Sequence, residues 1–307
     1  IQFVMKLSHL KTKLLFIASM FLGSFVLNGQ SSEGKDFWFS FMEHRDIGVN
    51  NKVVMITSET NTSGLIEIPF YNWTEGFTVQ PNQVTLVELP SFTENLGSAQ
   101  ISDKGIHLVS NDSVSVYIHQ YYSARSEATL VLPETALGAE YFIMSYRGVL
   151  INGKRYRSEF LIVGTEDETT IEITPSTDPL GVGSVGVPFT ILLNKGETYQ
   201  LQADSHNGDL TGTHIKGDKN FAVFGGNSWT QIACGVRDNL LEQMYPVSTW
   251  GKQVVTVPSQ KTNYDVYRIQ ASEDNTQVSV YDQGSVNPQN YTLDAGEFVE
   301  FQKSIPT

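Results

Sequence analysis

The chain has 307 residues, 40% of them hydrophobic and 17% charged, with a net charge of −13 and one cysteine. That much acid repels phosphate backbones and anionic bilayers, so nucleic acid and membrane insertion are not expected. A single cysteine excludes an intramolecular disulfide, and the fold must rest on a buried core.

In chain order, the first feature is Met5 with a short basic stretch, Lys6, Lys11 and Lys13, followed by the apolar run Leu14 to Val26 and the polar exit Asn28-Gly29-Gln30. This is the pattern of a secretory signal peptide, and the run is shorter than the roughly 20 residues needed to span a bilayer. Residues 1–30 are therefore read as upstream residues plus a signal peptide cleaved near Gln30. They hold three lysines and no acid, which leaves −16 for residues 31–307. Export without disulfides points to a protein secreted from, or held on the outer surface of, a Gram-negative bacterium.

Residues 31–307 carry short runs of Val, Ile, Thr, Tyr and Phe bounded by Gly, Asn, Asp and Pro, which predicts an all-β domain. Thr170-Ile171-Glu172-Ile173-Thr174 and Gln253-Val254-Val255-Thr256-Val257 are examples of expected strands. The segments Ser58-Glu59-Thr60-Asn61-Thr62, Thr165-Glu166-Asp167-Glu168-Thr169 and Ser272-Glu273-Asp274-Asn275-Thr276 repeat at an offset of 107 residues, as do His107 and His214. The segment around Ser110-Asn111-Asp112-Ser113 resembles the same turn, so the period divides into units of about 53 residues, opening near 53, 106, 161, 213 and 267. Four strands per unit suggest a β-propeller; the alternative is tandem β-sandwiches, each built from two successive units. The chain stops part-way into a sixth unit, and the natural protein is expected to continue.

Several segments, taken in order, resemble the N-terminal domain of the IgGFc-binding protein family. They are Gly34-Lys35-Asp36-Phe37-Trp38-Phe39-Ser40-Phe41, Leu132-Pro133-Glu134-Thr135-Ala136-Leu137-Gly138-Ala139-Glu140-Tyr141, Asp209-Leu210-Thr211-Gly212-Thr213, Ala222-Val223-Phe224-Gly225-Gly226, Asp238-Asn239-Leu240-Leu241-Glu242-Gln243, and Pro246 followed by Thr249-Trp250-Gly251. The resemblance spans residues 34–302. It implies a binding or adhesion module rather than an enzyme, since bacterial relatives are exported surface or secreted proteins and the namesake is associated with mucus and antibody Fc. The implied partner is an extracellular glycoprotein, mucin, polysaccharide or protein. Alternatives are a secreted glycoside hydrolase using a carboxylate pair and a structural spacer within a larger surface protein.

Chemistry-bearing motifs are sparse. The five histidines after residue 30 (His44, His107, His119, His206 and His214) have no metal-ligand spacing. Cys234 lacks an activating neighbour and is expected to be a small buried hydrophobe. No cofactor is expected: calcium could sit at Glu166-Asp167-Glu168, Asp209 or Asp218, but no run alternates oxygen ligands as a dedicated loop does. The longest departure from the repeat lies between Asn227 and Trp250 and holds Trp229, Arg237, Asp238, Glu242, Gln243, Tyr245 and Trp250. Loops that break a repeat are where binding residues sit, so these seven form the candidate ligand site. The alternative is that Leu240, Leu241 and Trp250 plug the core while Asp238 caps a helical turn.

Overall fold

In the computed structural model, residues 31–232, 235–260 and 263–304 are described; the expected signal peptide and Cys234 lie outside them. All paired strands in these residues are antiparallel, and the helical segments are short 3-10 turns. Among the described residues no helix is long and apolar enough to cross a membrane. The all-β expectation holds.

The first sandwich is organised by one long strand. Strands β1 (Gly34–Phe39), β2 (Asn51–Thr57), β3 (Thr62–Ile68), β4 (Trp73–Val79) and β5 (Val84–Glu88) precede a short β6 (Gln100–Ser102), then β7 (Ile106–Tyr122) and β8 (Arg125–Val131). The first half of β7 pairs with β1 and β3, and the second half with β2 and β8. With β4 beside β3 and β5 beside β2, the two halves of β7 belong to two facing sheets.

The second sandwich repeats this plan. Its strands are β9 (Gly138–Phe142), a small hairpin of β10 (Val149–Ile151) and β11 (Lys154–Tyr156), β12 (Ser158–Gly164), β13 (Thr169–Thr174), β14 (Phe189–Leu193), β15 (Thr198–Gln202), the long β16 (His214–Thr230) and β17 (Asp238–Gln243). Strand β16 pairs first with β9 and β13, then with β12 and β17. A third copy contributes β18 (Asp265–Gln270), β19 (Thr276–Val280), β20 (Gln289–Leu293) and β21 (Phe298–Lys303), paired β18–β21 and β19–β20 as β12–β15 and β13–β14 are.

Among the described residues the sheets therefore follow the tandem-sandwich alternative, and no propeller blade forms from four consecutive strands. The physical reason lies in two superficially similar turns. Glu168 and Asn275, equivalent across the 107-residue offset, take left-handed φ of 52° and 56° and reverse the chain. The stretch at Asn111-Asp112-Ser113 only bends β7 from one sheet into the other. The repeat is thus about 107 residues, and its halves are not equivalent. Residues 253–257 are a second correction: they are irregular, with Val254, Val255 and Val257 each about three-quarters exposed (77%, 74% and 77%). Their counterparts β1 and β9 gain strand structure by pairing with a long strand, and no long strand lies beside 253–257 among the described residues.

Packing joins the sandwiches into one core system. Strand β12 is buried on both faces: Leu161 and Val163 belong to the core of the first sandwich, Phe160 and Ile162 to that of the second. The short β6, from the first sandwich, adds a strand to the edge of the second beside β15. At the joint, Gly105 lies so close to the turn of the second sandwich that a Cβ would fall 2.4 Å from the Gly196 carbonyl oxygen. The equivalent Gly212 meets Gly296 of the third copy at 2.5 Å. The repeated histidines support the same joints. His107 stacks on Trp38 at 4.2 Å between Asp36 and Glu67, both at 2.8 Å, and His214 stacks on Phe142 at 4.6 Å with Glu140 at 2.8 Å.

Candidate functional site

The seven residues expected to act together are divided by the strand that carries them. Trp229 ends β16 and Arg237 sits in the connection that follows. Asp238 opens β17 and accepts the amide of Ser126 at 3.0 Å, so it belongs to a strand rather than capping a helical turn. Glu242 lies beside Glu127 of β8, while Gln243 is buried and accepts the Leu132 amide at 2.7 Å. Tyr245 and Trp250 lie at the second joint, where the Trp250 indole donates to the Tyr245 carbonyl at 3.2 Å and meets Phe142 at 6.0 Å. Leu241 enters the core. The seven thus fall into separate groups: Trp229 with Arg237, Asp238 and Glu242 beside Glu127 of β8, and Tyr245 with Trp250; the other neighbours of Trp229 come from elsewhere in the chain.

Three connections converge at Trp229. The first is the segment after β1, held by the buried Glu94 carboxylate, which accepts the His44 amide at 2.8 Å, the Gly48 amide at 3.1 Å and the Asn50 side chain at 2.9 Å. Burial lowers the His44 pKa, and its Nδ1 accepts the Asp46 amide at 3.0 Å, as a neutral ring can. This fixes Arg45, whose amide donates to the Ser228 carbonyl at 3.0 Å. The second is the β10–β11 hairpin, turned by Asn152 (φ 50°) and Gly153 (φ 78°), an Asn-Gly pair suited to a two-residue turn. Ser228 and Arg157 clamp its base through paired backbone and side-chain bonds of 3.0–3.1 Å. The third is the connection after β16, of which residues 231–232 and 235–237 are described.

In the resulting cluster the Arg45 guanidinium lies 4.3 Å from the Trp229 ring centre and 6.0 Å from that of Tyr156. Arg237 is 5.6 Å from Trp229, Lys154 is 4.9 Å from Tyr156, and the two rings meet edge to face at 4.9 Å. Asp46 neutralises part of this charge, pairing with Arg45 at 2.8 Å and with Arg125 at 2.5 Å. Trp229 is 9% exposed, and its Nε1, the Arg237 Nε and the Arg45 Nε are all buried with no hydrogen-bond acceptor among the described residues. Arg45, Lys154 and Tyr156 were not among the expected residues. One signal was available: Asn152-Gly153 between two apolar-basic runs marks a hairpin that the first sandwich lacks.

Two further features flank this cluster. Glu127 on β8 faces β17, and its pKa is raised to about 7 by burial first and then by Asp238 and Glu242. Asp238 and Glu242 are themselves raised, chiefly by burial. At the second joint a cavity of about 430 Å³ is lined by Glu140, Phe142, Thr174, His214 and Glu297 among others. The acidic positions considered for calcium serve their turns: Asp218 accepts the Thr170 amide at 2.9 Å, Asp167 the Lys195 amide at 3.1 Å, and Asp209 the Thr211 amide and hydroxyl at 3.0 and 2.7 Å.

Fold and cluster together define a tandem β-sandwich protein whose non-repeating connections meet at one cationic, aromatic patch. The sequence profile of the family described as IgGFc binding protein matches residues 127–307, more than half of the chain, and the chain belongs to that family. Its sequence is 25% identical over 278 residues to human IgGFc-binding protein, an alignment covering 87% of this chain and 5% of that protein. The chain thus spans about one-twentieth of the length of this relative. A chain from a structural study of host-cell surface retention of a 1.5-MDa bacterial ice-binding adhesin aligns over 90% of this chain and 88% of its own. At 10% identity and a TM-score of 0.17, it defines no shared fold. The family takes its name from binding and not from a catalysed reaction.

Proposed function

We propose that the chain is a secreted or surface-displayed binding module for an extracellular glycoprotein, mucin, polysaccharide or protein, with the ligand contacting the patch around Trp229. The observation that carries this reading is the convergence of three connections from two sandwiches on Arg45, Lys154, Tyr156, Trp229 and Arg237. Family membership supports binding, and the name of the human relative makes antibody Fc one protein to test. The test is binding of the full chain to a panel of glycans, mucins and immunoglobulins. A ligand retained by the native chain and lost by a Lys154→Gln, Arg237→Gln double variant supports the reading. Ligands that all survive this variant, or a folded chain that binds nothing, refute it.

A hydrolase reading draws on one observation, the Glu127 carboxyl raised to about 7 beside Asp238 and Glu242. Turnover of a polysaccharide panel that disappears in Glu127→Gln would favour it over binding alone.

A further inference from the structure

We propose that the open cavity at the second joint receives the side chain of a lysine from a partner polypeptide. This is a second surface, separate from the patch around Trp229. Its ground is a difference between the two joints of this chain. The turns at 194–197 and 294–297 are built alike: Asp167 accepts the Lys195 amide at 3.1 Å as Asp274 accepts the Ala295 amide at 3.0 Å, and Gly196 and Gly296 take φ of 83° and 81°. Each joint also stacks a ring on its histidine, Trp38 on His107 and Phe142 on His214. In the first joint the Lys195 ammonium lies 5.2 Å from the Trp38 ring centre, and Phe70 stands 3.3 Å from where a Gly196 Cβ would be. In the second, Ala295 stands in the place of that lysine and Thr174 in the place of Glu67 beside the histidine. Thr177, the counterpart of Phe70 in the sequence, instead reaches to 3.4 Å from a Gly208 Cβ. What the second joint lacks in side chains appears as the cavity of about 430 Å³.

The groups around this space select a positively charged donor. Two carboxylates, Glu140 and Glu297, line it, and among the described residues no lysine or arginine does. His214 Nε2 and the Lys216 ammonium both approach Glu140 at Oε1, at 2.8 and 3.7 Å, which leaves Oε2 for a further donor. Because that carboxylate accepts from Nε2, the neutral His214 ring presents Nδ1 as another acceptor. The corresponding Nδ1 of His107 meets Glu67 at 2.8 Å, a place held here by Thr174 on the cavity wall. Phe142 supplies the ring that Trp38 offers to Lys195, a surface that attracts cations. Solvent reaches the site: the Glu140 and His214 side chains are 40% and 32% exposed, and Ser176, Ala295 and Glu297 are exposed. A single ammonium on a flexible four-carbon stem, anchored in a polypeptide, is what the first joint already holds in this position. The net charge of −16 over residues 31–307 draws a basic protein surface toward it.

The test titrates the full chain with a Gly-Gly-Lys-Gly-Gly peptide capped at both ends, following the Ala295 and Gly296 amide resonances by NMR. Saturable shifts at both amides are expected. Acetylation of the peptide lysine removes its charge and should weaken binding at least about tenfold. Ala295→Lys returns the occupant of the first joint to an exposed position and should weaken the peptide by a similar factor. Glu140→Gln keeps an acceptor for His214 but not the charge, and should weaken it several-fold. The Lys154→Gln, Arg237→Gln double variant should leave it unchanged, which separates this site from the patch around Trp229. Equal binding of the acetylated peptide, no shift at about 10 mM peptide, or full binding by both Ala295→Lys and Glu140→Gln overturns the proposal without touching the reading at Trp229. Loss of peptide binding in the double variant also overturns it, since the lysine would then sit elsewhere. Pentylamine bound as tightly as the peptide overturns the polypeptide source.

Discussion

Replacing Glu127 by Gln should stabilise the protein in a pH-dependent way. In the folded chain the carboxyl is pushed from 4.5 to about 7, first by burial between β8 and β17 and then by the neighbouring Asp238 and Glu242 carboxylates. A raised folded pKa means that folding favours the protonated form. Its stability contribution is fully present below the unfolded value near 4.5 and is lost as pH rises through about 7. At 1.36 kcal/mol per unit the displacement corresponds to about 3 kcal/mol between protonation states, and partial exposure of the side chain screens this to about 1–2 kcal/mol. Gln keeps the shape and cannot ionise. Urea denaturation of the native and variant chains from pH 4 to pH 8 should therefore show little difference at the acid end and a gain of about 1–2 kcal/mol for the variant above pH 7. A difference independent of pH, or a variant less stable at pH 8, would refute the reasoning.

Glu159 should behave in the same direction. It is 0% exposed, its Oε1 has no hydrogen-bond partner, and burial followed by Glu43 raises its pKa well above 4.5, so Glu159→Gln should raise the denaturation midpoint more at pH 8 than at pH 4. Gly105→Ala places a methyl 2.4 Å from the Gly196 oxygen and should cost about 1–3 kcal/mol in thermal or urea unfolding, whereas Gly235→Ala, whose added methyl meets no described atom within 4 Å beyond its chain neighbours, should stay within about 0.5 kcal/mol of native. Tyr141→Phe removes a buried hydroxyl that donates to the Phe221 carbonyl at 2.7 Å and accepts the Gly138 amide at 2.9 Å, and should cost about 1–3 kcal/mol by the same assay. The first sandwich supplies the control for the last variant, since Phe37 holds the equivalent place in β1 without a hydroxyl.

The repeat was legible in the sequence because the reversing turns recur with the same residue types at one spacing, Glu59, Glu166 and Glu273. The choice between propeller and sandwich was not, because it depends on which strand a long element pairs with. Residues 106–122 and 214–230 each look like two strands around a polar turn, and only their shared pairing to both sheets reveals a single bent strand. Residues 253–257 failed for a related reason, since their strand-forming residue types state a preference, and no long strand lies beside them among the described residues. For the candidate site, the sequence grouped seven residues by proximity along the chain, and the structure places Trp229 and Arg237 in one cation–aromatic cluster with Arg45, Lys154 and Tyr156 from elsewhere. An extended β17 pairs Asp238 with Thr230 beside Trp229 but carries Glu242 and Gln243 away to Gly225 and Phe224, because successive residues rise about 3.3 Å.

The position of the cluster follows from the burial of β12 on both faces. A strand that serves two cores fixes the first and second sandwiches against each other, so the end of the molecule where β1 and β16 finish becomes a rigid shelf. Arg45 reaches that shelf from the first sandwich, held there by the Glu94 network and the bond from its amide to Ser228. Tyr156, Lys154, Trp229 and Arg237 reach it from the second. Within this shared sheet, the longer connection at 143–157 and the described residues 235–237 after β16 add side chains without altering the core pairing beneath them. The repeat supplies rigidity, and its two departures in the second copy supply the side chains of the cation–aromatic cluster. The same logic explains why the equivalent end of the first sandwich, closed by the two-residue turn at 123–124, carries no comparable cationic cluster among the described residues.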